Sequence, residues 1–119
     1  PYEIMKSVFC AHCKWLPAGP LLALTDVFTR LFAGFSLKGA STLEAVAKTK
    51  LPILFVHGTG DTFVPCAMTQ AAYDACTAPK QLVLVPDAGH GCSYLVDRPR
   101  VQSELQAFLS KYVSEEEPI

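Results

Sequence analysis

The chain has 119 residues, of which 50% are hydrophobic and 18% charged. That length fits one domain, and that composition excludes a disordered or solvating polypeptide. Ten Lys and Arg against eleven Asp and Glu leave a formal net charge of -1, so no basic field exists to draw nucleic acid or an anionic membrane surface.

In chain order, residues 2–15 read as a helix, with Ile4, Met5, Val8, Phe9 and Cys13 at helical spacing. Pro17, Gly19 and Pro20 are expected to stop it. A second helix is expected from about Leu21 to Phe32, with Gly34 as its stop. Leu24, Val27, Phe28, Leu31 and Phe32 make it apolar over most of its surface, which predicts burial on more than one side. Ser41-Thr42-Leu43-Glu44 has capping-box form and opens a short helix to about Lys48. Ile53–Val56 and Leu82–Val85 are continuous apolar runs, the pattern of strands covered on both faces in a parallel sheet. Between them a helix is expected over Pro65–Cys76, which makes a right-handed βαβ unit. A final helix starts near Asp97 as N-cap, with Pro99 in its first turn and Val101, Leu105, Phe108, Leu109 and Tyr112 as its apolar stripe. Ser114–Ile119 reads as a polar C-terminal tail.

The fold class is therefore α/β in a single domain, 1–119. Residues 1–40 are helical and 41–119 form the strand–helix–strand–helix unit. The run Leu21–Phe35 is broken by Thr25, Asp26, Thr29 and Arg30, so no membrane span is expected. It reads as core packing or, as the alternative, a mobile lid. Cys10, Cys13, Cys66, Cys76 and Cys92 do not make the disulfide framework of a small secreted domain. They read as free thiols in a reducing, cytoplasmic compartment. No signal peptide is evident, and the chain opens at Pro1-Tyr2-Glu3 without Met, which reads as a processed chain or a piece of a longer one.

Ligands of a parallel sheet bind at the carboxyl ends of its strands. Two loops leave such ends, His57–Pro65 and Pro86–Ser93, and a βαβ crossover puts both on one side. Asp61 lies five residues past Val56 and His90 five past Val85, so the two can meet if the strands are neighbours. A carboxylate on one imidazole nitrogen fixes the tautomer and leaves the other nitrogen free as a general base.

The run Leu51-Pro52-Ile53-Leu54-Phe55-Val56-His57-Gly58, followed by Asp61, Val64-Pro65 and Pro86-Asp87-Ala88-Gly89-His90, resembles the closing part of an α/β-hydrolase. Its nearest flavour is the prolyl-oligopeptidase-like and esterase-like branch. The resemblance covers residues 41–113 and extends more loosely over the opening helices. It implies that Asp61 is the acid and His90 the base of a Ser-His-Asp triad, in the chain order of that fold. It implies hydrolysis of esters, thioesters or small amides, with a small-molecule substrate and no cofactor. The Gly-x-Ser-x-Gly elbow of that fold is absent from these residues. Ser93 and Cys92 follow the histidine and have no elbow. The expectation is therefore the C-terminal segment of a serine hydrolase, inactive alone. The alternative is a non-catalytic hydrolase-like module for binding or assembly. Because preceding strands of the fold would pair with Ile53–Val56, the chain alone is expected to self-associate, most simply as a two-fold dimer that pairs these edges or exchanges helices.

Other readings of these residues are duller. Asp61 also suits a turn cap before Pro65. His90 also suits a structural loop histidine. His57 ends a buried strand with no acid evident beside it and reads as structural. Gly58-Thr59-Gly60 lacks the third glycine of a dinucleotide loop, since Phe63 stands there. Neither His57, Asp61, His90 and Cys92 nor Cys10, His12 and Cys13 has a recognised ligand spacing, so no metal site is expected.

Overall fold

Two apolar strands need cover on both faces, and the helices are distributed to supply it. The computed structural model describes residues 2–15, 17–37, 39 and 41–113. The polar tail Ser114–Ile119 lies outside the described residues. The order is α1 (Tyr2–His12), α2 (Ala18–Phe28), a π-helical turn (Thr29–Ala33), α3 (Thr42–Lys48), β1 (Ile53–Gly58), α4 (Cys66–Ala75), β2 (Lys80–Val85), α5 (Ser93–Val96) and α6 (Arg98–Tyr112). β1 and β2 pair in parallel, Ile53 opposite Lys80 and Gly58 opposite Val85. This is a mixed helix–strand architecture with a two-stranded parallel sheet, consistent with part of an α/β-hydrolase fold.

Side chains alternate between the faces of a strand, and the two faces here have separate cores. Ile53 and Phe55 pack against Val46 of α3, Ala72 of α4, Cys76 and Ala78. Leu54 joins Val83, Val85 and Ala88 with Val101 of α6 on the other face. The crossover helix α4 therefore covers one face and α6 the other.

Local chemistry sets the element ends. The Ser41 hydroxyl accepts from the Glu44 amide at 3.3 Å and starts α3. Pro65 stands at the N-cap of α4. The Asp97 carboxylate accepts from the Arg100 amide at 3.2 Å and starts α6, with Pro99 in a first turn that needs no N–H from it.

Several expectations need correction. The first helix ends at His12 instead of 15. The second begins at Ala18, before Pro20, because a proline in the first turn loses no helical hydrogen bond. It then widens into the π-helical turn and closes on Gly34 at φ +71°, the left-handed conformation glycine adopts at least cost. A buried carboxylate holds this widened end. Asp26 accepts from Leu37 N at 2.6 Å, Ser36 Oγ at 2.8 Å and Arg30 Nε at 2.9 Å.

The second helix is not buried on several sides. Leu22 and Asp26 are buried, while Leu24, Val27, Phe28, Leu31 and Phe32 are exposed. Its described helical neighbour is α1, and one neighbour covers one face only. The α6 stripe is likewise narrower than expected, because Val101 and Phe108 are buried while Leu105 and Leu109 are exposed. Cys10 of α1 is exposed and Cys13, just past its end, is half-buried. The single turn α5 was not foreseen, since a four-residue helix carries too little periodicity to read.

Candidate active site

The two loops that leave β1 and β2 are stitched together before any side-chain chemistry begins. Thr59 N donates to Val85 O at 2.9 Å and Gly60 N to Ala88 O at 3.1 Å. The Asp87 amide donates to Thr59 Oγ1 at 3.0 Å, with Asp87 itself at φ +57°. Gly58 makes this approach possible. A β-carbon on it would stand 2.1 Å from the Ala88 carbonyl oxygen, closer than any real contact.

Held this close, the loops place Asp61 Oδ2 2.8 Å from His90 Nδ1. The carboxylate only accepts, so Nδ1 carries the proton. In the neutral ring Nε2 is then left as a base. The Asp61 side chain is 3% exposed and that of His90 56%, which pairs a buried charge with an open imidazole. Asp61 Oδ1 accepts from Phe63 N at 2.9 Å and Val64 N at 2.8 Å. The turn-cap role and the histidine-partner role thus coexist on one carboxylate. Burial pushes the Asp61 carboxyl up, but the Val64 amide, His90 and the Phe63 amide outweigh it and hold the group below the ordinary carboxylate value.

His57, read from sequence as having no acid nearby, needs correction: its Nε2 lies 3.3 Å from Asp61 Oδ2. The turn 61–64 folds the carboxylate back over the strand end, and linear spacing does not reveal that fold. The Phe63 ring lies tilted against His90, with centroids 4.9 Å apart, and against His12 of α1 at 5.4 Å, so the opening helix reaches the site. Sequence reasoning assigned no role to Phe63 or Thr59. The Gly58-x-Gly60 pair was the available signal of close backbone approach.

A cavity of about 400 Å³ opens beside the pair, lined among others by Val56, His57, Asp61, His90, Ser93 and Tyr94. Ser93 opens α5, and the Cys92 thiol donates to His90 O at 3.3 Å. Among the described residues, no group of three His, Cys, Asp or Glu side chains is placed to hold a metal ion. Likewise, no helix of the described residues is long and apolar enough to cross a membrane.

The family model for serine aminopeptidase, S33, matches residues 10–94, a span that contains both loops. The chain belongs to that family, a member of the α/β-hydrolase superfamily. Similar proteins include the uncharacterized protein YqkD of Bacillus subtilis (strain 168), 32% identical over 79% of this chain and 31% of the relative. The uncharacterized proteins MT2364 and Rv2307c of Mycobacterium tuberculosis are each 26% identical over 93% of this chain and 34% of their own length. The chain thus spans about a third of the curated relatives it matches. No solved structure matches it significantly.

Two expectations follow. Gly58→Ala should cost about 3 kcal/mol in chemical denaturation and separate Asp61 from His90, because backbone must move. Gly89→Ala, where a β-carbon meets nothing within 4 Å, should stay within about 0.5 kcal/mol. Equal costs would remove the close-approach argument. Second, a lowered carboxyl value stabilises the fold above the ordinary value, and that stability is lost as pH falls through the lowered one. The stability gap between the wild type and Asp61→Asn should therefore narrow as the pH falls below about pH 4. A gap unchanged down to about pH 3 would show that these donors do not hold Asp61 ionised.

Proposed function

We propose that this chain supplies the acid, Asp61, and the base, His90, of a serine hydrolase acting on esters, thioesters or small amides. The observation that carries the reading is the 2.8 Å contact between the buried carboxylate and Nδ1 of a half-exposed imidazole. A hydroxyl docked at Nε2 gives up its proton as its oxygen attacks the acyl carbon. Asp61 stabilises the imidazolium that forms, and His90 returns the proton to the leaving alkoxide, thiolate or amine. Water then repeats the sequence on the acyl-enzyme. Membership of the S33 family supports the reaction class.

The nucleophile of this scheme stands on an elbow upstream of residue 1, and the 119-residue chain is inactive alone. Ser93 is not that nucleophile, since it follows the base by three residues and opens a single helical turn. The five cysteines are all free thiols, which agrees with the cytoplasmic placement we assign.

A second reading, a non-catalytic module for binding or assembly, draws on the surface. Phe28, Leu31 and Phe32 present an exposed apolar row, and the sheet has two strands only among the described residues. Under either reading we propose that the isolated chain self-associates through the outer edge of β1, most simply as a two-fold dimer.

A fluorophosphonate probe, which needs an activated serine, tests the catalytic reading. The chain extended by its upstream coding sequence should be labelled, and the 119-residue chain should not. His90→Ala should lower labelling by at least about a thousandfold. Labelling of the short chain at Ser93 would overturn the assignment of the nucleophile, and an unlabelled extended chain would hand the case to the binding module. Light scattering of the short chain should give twice its 12.9 kDa mass, and a folded monomer at high concentration would end the dimer proposal.

A further inference from the structure

We infer that His57 is a positioning residue for Asp61, acting as the middle of a brace that runs from α4 to the acid loop. The inference rests on the triad reading of Asp61 and His90. His57 is the last side chain before Gly58 at the carboxyl end of β1, and it is 11% exposed. Its Nε2 lies 3.1 Å from Val64 O. A carbonyl only accepts, so Nε2 carries the proton, and in the neutral ring Nδ1 accepts. The Thr69 hydroxyl, one turn into α4, sits 2.7 Å from Nδ1 and donates to it.

The ring therefore has a fixed tautomer and two anchors. One end is tied to α4. The other holds the carbonyl of Val64, the residue whose amide donates to Asp61 Oδ1 at 2.8 Å. The same Nε2–H, with its positive end, lies 3.3 Å from Asp61 Oδ2, the oxygen that receives His90. His57 thus acts on the acid twice, through the loop it clamps and through its own dipole. A histidine kept only to fill space needs neither the Thr69 donor nor the Val64 acceptor. It touches no reacting atom in this scheme, so its effect on the reaction passes through Asp61.

Nitrogen-15 NMR of the 119-residue chain tests the brace. His57 should appear as the Nε2–H tautomer and His90 as the Nδ1–H tautomer. In His57→Phe the His90 Nδ1–H resonance should shift. In His57→Gln, which keeps an N–H at about the same reach, it should return. Thr69→Val removes one hydroxyl without emptying the core, and should shift it in the same direction by a smaller amount. In the extended enzyme, His57→Phe should lower kcat about tenfold to a hundredfold with KM little changed, and His57→Gln should recover most of it.

The outcomes separate the two claims. A His57 in the Nδ1–H tautomer, or a His90 resonance indifferent to all three variants, overturns the brace and leaves the triad intact. Normal kcat in His57→Phe does the same. An extended chain without activity, with the NMR signatures present, overturns the triad and keeps the contact as a structural one.

Discussion

The carboxylate of Asp61 is the constraint on which the rest of the site depends. A buried charge is costly unless its lone pairs are occupied. Here two backbone amides take Oδ1 and an imidazole takes Oδ2, with a second imidazole close by. Those groups come from β1, the loop after it and the loop after β2. They converge because the strands are parallel and in register, so both loops leave the same end of the sheet. The glycine at the end of β1 then lets the loops touch. Sheet register, loop contact and charge satisfaction are one arrangement seen at three scales.

A second buried carboxylate in the same chain shows what distinguishes a site from a staple. Asp26 is as well enclosed as Asp61 and also accepts from a backbone amide. Its charged partner is Arg30, a guanidinium that keeps its proton at any physiological pH. That pair can fix the π-helical turn and cannot exchange a proton. Asp61 is paired with histidine, the side chain whose charge changes near neutrality. Burial is common to both, and the partner decides what each can do.

The parts of this architecture legible in the sequence are those written in short-range pattern. The strands showed as apolar runs, and the caps at Ser41 and Asp97 as residue types before periodic segments. The meeting of Asp61 and His90 is legible because equal offsets from two parallel strands place side chains at equal heights. What escaped was set by space instead of pattern. The exposure of Phe28, Leu31 and Phe32 depends on which helices lie alongside, and periodicity reports only that an apolar face exists. The π-helical turn depends on Asp26 reaching Leu37, eleven residues on. His57 meets Asp61 because an Asx turn reverses the chain, a fold-back that spacing along the sequence does not encode.

The Asp61–His90 contact is local in a way that the proposed catalytic site is not. Its determinants, from His57 to His90, lie inside one βαβ unit, and each is anchored to a strand end, to α4 or to the partner loop. Such a unit can preorganise the pair without help, because the groups that orient it are supplied by the same crossover that creates the sheet. On the proposed reading a nucleophile would meet Nε2 from the open side of His90, where the described residues form a cavity. If, as proposed, Asp61 and His90 serve a nucleophile on another element, the geometry of the pair is independent of that element. That separation lets a segment spanning about a third of its relatives carry a fully oriented Asp–His pair.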